Sequence, residues 1–294
     1  MKKVISTYLI ICLLYLFVPF RIEAITTNTH STDLEFTSLQ GWNIPDASQT
    51  NLEPAGDFSI GLFFRGESLP TATGNNLFSK DGCGVGACGS LQRQYGLVAN
   101  DVDSSGDVEL VLLFCSDPSC PGGNRSQAYG TTGLSTATDY CVVATADVSL
   151  AGDGIALYLD GVAESLTVTD NSGTSVGSGT NEVGIGWNGF DNAGNFDGLI
   201  DHVNFWSGLL SAAEAASFCD DPCNFTAGSA TLQGQWLFDD DAGVDQTANN
   251  NDLTNVNSAT FVTTPLFSCA APTGNAQIYI NGALYLKNGG LYVK

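Results

Sequence analysis

Carboxylates dominate the chemistry open to this chain, with 31 Asp and Glu against 9 Lys and Arg and 2 His. The two histidines, His30 and His202, give little from which to build a Ser–His–Asp hydrolase. In "DVDSSGDVELVL" (101–112), Asp101, Asp103, Ser105, Gly106 and Glu109 stand at the offsets of a calcium loop. The twelfth position is Leu112 where a bidentate Glu is required, and strand-like segments flank the loop instead of helices, so it reads as a hairpin turn. Asp107 and Glu109 share a strand face, as paired carboxylates of a glycosidase do, but Leu110, Val111 and Leu112 add no third acid.

Two further groups stand out. In "FDGLIDHVNFWSGLL", alternation puts Asp201 on one face with Leu199, Val203 and Phe205, so the sequence predicts a carboxylate at a core position. Left uncompensated there it costs several kcal/mol, and basic partners are scarce. Between 33 and 268 only Arg65, Lys80, Arg93 and Arg125 exist. The remaining candidates are backbone N–H donors, a Tyr or Trp donor, or a hard cation such as calcium. The second group is the loop "GWNGFDNAGNFDG", which sets Trp187, Asn188, Phe190, Asp191 and Asn192 together. An aromatic platform beside amide and carboxylate groups suits a sugar ring, and a packed aromatic at a strand end is the plainer reading. Trp42 and Trp236 lie on strands and are expected in the core.

These residues need a scaffold, and the sequence describes one. Lys2 and Lys3, the apolar run from Val4 to Phe20 and the small Ala24 read as a secretory signal over residues 1–24, with a retained anchor as the rival reading. Without Lys2, Lys3, Arg21 and Glu23 the chain keeps six basic and thirty acidic side chains, a formal charge of −24. Such a surface is a poor match for nucleic acid or anionic membranes and suits a soluble, exported protein and cations. No membrane insertion is expected after signal cleavage. Cys83, Cys88, Cys115, Cys120, Cys141, Cys219, Cys223 and Cys269 then remain, an even count that reads as a disulfide framework. Cys83–Cys88 and Cys115–Cys120 each close a short loop, and the "CDDPC" pair ties the chain elsewhere, with Cys269 as a candidate partner. The CxxC pairs of a zinc site are absent.

Period-two runs predict strands near 33–37, 57–65, 75–80, 93–101, 107–115, 139–147, 154–160, 182–187, 196–206, 232–238 and 259–263. Asp-Gly at 160–161 marks a hairpin. One helix is expected, opened by a Ser211/Glu214 capping box and ended at Cys219. Many evenly spaced strands with a single short helix predict an all-β antiparallel sandwich. Residues 270–294 read as a linker and a short β-meander with Asn-Gly turns at 281–282 and 288–289, which offers 275–294 as a self-assembly contact.

Four segments together resemble the laminin G-like domains of the concanavalin A-like lectin/glucanase superfamily. "DFSIGLFFRG" resembles a core strand of that family, and "DYCVVATADVSLAGDGIALYLDGV" its strand, turn and Asp-Gly hairpin. "FDGLIDHVNFWSGLLSAAEAASF" is similar to its closing block, and "QGQWLFDDDAGVDQTANNNDLT" to the block that usually opens such domains. Here that block follows the helix, so the late strands are expected to complete one sandwich over 25–269. The resemblance implies a jelly-roll sandwich and a secreted or cell-surface recognition or adhesion module for glycan or protein ligands. It also implies calcium at the sandwich rim, with Asp201 and its nominated neighbours Asp197, Asn188 and Asp33 as ligands. A passive structural or display domain is the alternative, and a degenerate glycan-active enzyme the third reading. The superfamily's glucanases carry a Glu-x-Asp run with a further Glu where this chain has "DVELVL", so catalysis is not expected.

Overall fold

A computed structural model describes residues 28–81, 93–117, 120, 124–188, 194–239, 241–269, 284–287 and 290–293. Two antiparallel eight-stranded sheets face each other. The first (sheet A) contains β1 (Ser31–Leu34), β3 (Phe58–Ser68), β8 (Tyr140–Ala146), β9 (Ile155–Leu159), β10 (Val162–Ala163), β13 (Asp197–Ser207), β14 (Thr231–Trp236) and β16 (Thr260–Val262). The second (sheet B) runs in the order β11-β7-β6-β5-β4-β12-β2-β15. Its strands are β2 (Gly41–Ile44), β4 (Asn75–Asp81), β5 (Arg93–Asn100), β6 (Glu109–Cys115), β7 (Arg125–Gly130), β11 (Leu166–Asn171), β12 (Val183–Ile185) and β15 (Thr254–Val256). The late strands β14, β15 and β16 join both sheets, so residues 231–262 belong to the sandwich. Every sequence-predicted strand forms within a few residues of its expected bounds. The five that alternation did not reveal, β2, β7, β10, β11 and β15, are short or polar.

The core between the sheets is aromatic. Phe58, Phe78, Tyr95 and Phe205 are fully buried and lie with ring centroids 5.4–6.2 Å apart. Trp42 and Trp236 are buried with them. The Trp42 indole N–H donates to Thr32 Oγ1 at 2.8 Å and that of Trp236 to the Asn251 carbonyl at 2.8 Å. Burying such rings is the main favourable contribution to the fold, and the indole N–H bonds remove its polar penalty.

A second, smaller core lies outside sheet A. The helix α1 (Ala212–Asp220) opens with the expected capping box: Ser211 Oγ accepts from the Glu214 N–H, and a Glu214 carboxylate oxygen accepts from the Ser211 N–H at 2.7 Å. Its Ala215 and Phe218 pack on Phe63, Cys141, Val143, Leu199 and Trp206 of the sheet. The Cys141–Cys219 disulfide staples the helix to β8. Cys223–Cys269 fastens the following loop to the end of the domain, and Cys115–Cys120 closes the expected short loop. Cys83 and Cys88 lie outside the described residues, as does the signal segment. Near the C-terminus β17 (Leu284–Lys287) and β18 (Gly290–Val293) pair across the second Asn-Gly step, while residues 270–283 lie outside the described residues. Among the described residues no helix is long and apolar enough to cross a membrane.

The predicted face of β13 needs correction. Asp201 pairs with Phe63 and Asn204 with Gly61, so β13 carries one more residue than β3 between those pairs. This is a β-bulge, and its middle residue His202 has φ +47°. The extra residue reverses the alternation. Leu199 faces the helix, whereas Ile200, Val203 and Phe205 face the inter-sheet core. Asp201 therefore shares no face with Val203 and Phe205.

Candidate functional site: the outer face of sheet B

Sheet B turns one face to the core through Trp42, Ile44, Ile185, Phe78, Tyr95, Leu97, Leu112 and Phe114. The alternate residues point the other way, and Gln94, Val111, Leu113, Ser79 and Gln127 among them are at most 7% exposed. One register row across that face reads Asn43, Gly184, Ser79, Gly96, Leu113 and Gln127. Gly184, Ser79 and Gly96 are the smallest residues of the row, and they form a narrow trough that is itself buried, with Ser79 2% exposed. Among the described residues, a Cβ added at Gly96 would meet Ser79 Cβ at 3.4 Å and Val98 Cγ1 at 3.9 Å.

Trp187 bounds the trough. A Cβ on Gly184 would fall 2.3 Å from the Trp187 carbonyl and 3.6 Å from its ring, and one on Gly41 would fall 2.3 Å from Trp187 Cβ. The two glycines thus let the tryptophan lie against the sheet. Its side chain is half-buried, and its indole N–H has no hydrogen-bond partner among the described residues. Beside it, Asn76 donates through Nδ2 to Ser79 Oγ at 2.8 Å and to the Trp187 carbonyl at 2.5 Å. Asn76 Oδ1 and Asn195 Nδ2 are buried without a partner among the described residues. Asn195 Oδ1 accepts from the Asn188 N–H at 2.9 Å, and the Asn76 N–H donates to the Gly194 carbonyl at 2.8 Å. The start of β4 and the loop leading into β13 thus form one polar rim. A buried polar atom without a partner costs about 1–3 kcal/mol, and such atoms call for a functional or structural reason.

Of the sequence-predicted ligand residues, Trp187 and Asn188 sit at this rim, while Phe190, Asp191 and Asn192 lie outside the described residues. Sequence reasoning missed Asn76, Ser79, Gly96 and Asn195. The available signal was the small or polar residue at alternate positions of "NNLFSKD" and "RQYGLVAN", opposite large apolar ones.

The expected metal set does not gather into one ligand group among the described residues, although Asp33 and Asp197 lie near one another. Asp201 is fully buried beneath the helix layer. Its Oδ2 accepts from Asn28 Nδ2 at 2.8 Å, Ser31 Oγ at 3.0 Å and the Leu266 N–H at 3.3 Å. Its Oδ1 has no partner among the described residues. Burial pushes the carboxyl up to about 7, against the pull of those three donors. Asp197 accepts from the Phe36 N–H at 3.0 Å and from Ser68 Oγ at 2.5 Å. Asp33 is raised by burial and then by the Asp197 charge, and Glu67 is raised by burial and by Asp33, Glu35 and Asp197. Asn188 follows β12 in the other sheet. Only one group of three potential metal ligands gathers among the described residues, and none of the nominated residues belongs to it. That group is Asp101, Asp103 and Glu109, at the β5–β6 turn. The turn forms the expected hairpin, and it also draws these three carboxylates together.

Solved structures place the sandwich among known folds. A protein from Bacteroides ovatus ATCC 8483, whose assignment as carbohydrate-binding is itself provisional, superposes with a TM-score of 0.53 at 16% identity, over 84% of this chain and 62% of that one. This chain therefore spans less than two thirds of that protein. The native heptameric SAP-like pentraxin of Limulus polyphemus superposes with a TM-score of 0.52 at 10% identity, over 81% of this chain and 95% of that one. The CBM40 of the Ruminococcus gnavus IT-sialidase, solved with α2,3-sialyllactose, gives a TM-score of 0.47 at 13% identity, over 67% of this chain and 99% of that one. At these identities the likeness is one of fold. No curated protein matches the chain. Residues 39–216, spanning β2 to the first five residues of α1, match the laminin G-like family, and with that match the chain belongs to the concanavalin A-like lectin/glucanases superfamily.

Proposed function

We propose that this chain is a non-catalytic carbohydrate-binding module, exported to an oxidising compartment, whose ligand is held at the rim of the sheet B trough, against Trp187. One observation carries the reading. A half-buried tryptophan bounds a floor of Gly184, Ser79 and Gly96, with Asn76 Oδ1 and the Trp187 N–H, which have no hydrogen-bond partner among the described residues, at its edge. An apolar ring face gives a sugar its stacking surface, and amide groups fix its hydroxyls. The provisional carbohydrate-binding assignment of the Bacteroides protein agrees with this reading. Export rests on the N-terminal apolar run and on the disulfides, which persist in oxidising surroundings.

Screening the mature protein on a glycan array, followed by titration calorimetry with the best ligand, tests the assignment. Trp187→Ala and Asn76→Ala are each expected to weaken binding about tenfold, about 1.4 kcal/mol. The melting temperature should move little in Trp187→Ala. An array without binding, or a ligand held equally well by both variants, would remove the trough as the seat.

A further inference from the structure

The turn between β5 and β6 carries a feature that glycan binding does not use. Asp101, Asp103 and Glu109 each offer a carboxylate oxygen, and the three oxygens lie within 4.8 Å of one another. Asp101 is half-buried, Asp103 exposed and Glu109 only 5% exposed. The backbone holds the first two in place. The Ser105 N–H donates to Asp101 Oδ1 at 3.1 Å and to Asp103 Oδ1 at 2.9 Å, and the Gly106 N–H donates to Asp101 Oδ2 at 3.1 Å. Glu109 is fixed differently, as the first residue of a fully buried strand, paired with Asn100. None of the described ion pairs includes any of the three.

The buried member points to what is bound. Glu109 Oε1 accepts from Ser105 Oγ at 3.3 Å, but Glu109 Oε2 is buried with no hydrogen-bond partner among the described residues. Two other carboxylates stand beside it, and among the described residues no basic side chain pairs with it. A buried carboxylate oxygen thus faces two further carboxylates. A hard cation relieves all of these stresses together: it pairs the buried oxygen, cancels the mutual repulsion and needs only oxygen ligands.

We propose that the β5–β6 turn is a calcium site whose protein ligands are the carboxylates of Asp101, Asp103 and Glu109. Calcium fits better than the alternatives. Zinc and copper favour imidazole and thiolate, and no His or Cys belongs to the group. Magnesium demands near-ideal octahedral geometry, whereas calcium accepts irregular carboxylate sets. The site is not an EF-hand, because its closing acid comes from a strand at the ninth position and Leu112 occupies the twelfth. It also lies in the sheet opposite Asp201, so it is independent of the calcium role expected for that residue. The proposal stands whether or not the trough binds glycans.

The test uses chelator-stripped mature protein and calcium chloride alone, read by calorimetric titration and by thermal melts. Wild type should take up calcium, and its melting temperature should rise with free calcium because the ion binds the folded state. Asp103→Asn should weaken binding at least tenfold and Glu109→Gln should abolish the calcium dependence, while Asp201→Asn keeps both heat and shift. Asp103 is exposed, so its variant folds even if Glu109→Gln does not. A wild type with neither calcium heat nor melting shift would overturn the proposal. So would a shift that survives Asp103→Asn undiminished, or one that Asp201→Asn removes.

Discussion

The two outer faces of this sandwich have opposite fates. Outside sheet A, Phe63, Val143, Leu199 and Trp206 are sealed under the helix, and Leu266 packs with them, so β3, β8 and β13 are apolar on both sides. Outside sheet B, the equivalent positions of the central strands hold Gly184, Ser79, Gly96 and a three-residue cluster of Val98, Val111 and Tyr129. One face is sealed by an apolar helix layer, and the other is buried over small and polar residues instead. The contrast also explains why polar groups behave differently on them. Beneath the helix Asp201 is surrounded by donors, whereas at the rim of sheet B Glu109 is surrounded by other carboxylates.

The sharpest way to break the comparison is to cut one side chain from each face. Phe218 is fully buried, with ring centroids 5.5–5.7 Å from those of Phe63, Trp206, Phe225 and His202. Phe218→Ala is expected to cost about 3–5 kcal/mol in urea denaturation. Val98→Ala on the outer face of sheet B removes two methyl groups and should cost about 1.5 kcal/mol. Equal losses would mean that the helix layer is no second core.

Next in size are two neighbours whose titrations oppose one another. Folded Asp201 holds its proton more tightly than unfolded, with its carboxyl moved from 3.8 to about 7 by burial. Its contribution to stability is complete below about pH 4 and is lost as pH rises toward 7. His202 is the reverse, lowered by burial from 6.5 to about 3. Its contribution is complete above about pH 6.5 and is lost as pH falls toward 3. Each shift spans about three units, roughly 4 kcal/mol at most, and between pH 4 and 6.5 the two slopes cancel. Asp201→Asn should therefore leave a stability that rises with pH across this window, and His202→Asn one that falls. Asn suits the second variant because it tolerates the left-handed backbone at that position. Urea midpoints at four pH values suffice, and parallel profiles for the three proteins would refute the opposition.

That pair also marks where the sequence stopped being legible. The long strands, the capped helix and the local Cys115–Cys120 loop could all be read from spacing, because each is a local signal. The bulge at His202 could not. Nothing in "LIDHVNF" announces an extra residue, and a single insertion exchanges the faces of everything beyond it. The carboxylate trio failed for another reason. Its members read as a poor EF-hand, and only the pairing of Asn100 with Glu109 shows a strand residue returning to its own turn. Asn76 and Gly96 look like ordinary strand residues until the register aligns Gly184, Ser79 and Gly96 in one row.

The smallest effects test the trough itself, through two glycines of that row. At Gly184 an added Cβ would lie 2.3 Å from the Trp187 carbonyl, so Gly184→Ala must displace backbone and should cost about 1–3 kcal/mol. Glycan affinity should fall with it, because the same shift lifts Trp187 from the sheet. At Gly96 the nearest atom is 3.4 Å away, and its φ is not positive. Gly96→Ala therefore removes freedom from the unfolded chain without strain and is expected to stabilise by about 0.4–1 kcal/mol. Gly96→Leu carries the argument further, since a leucine there reaches over Ser79 and fills the floor. Because the row is buried, it should cost about 1–3 kcal/mol in urea denaturation and lower glycan affinity as well. Retained affinity in that variant would move the ligand off this face, whatever Trp187→Ala had shown.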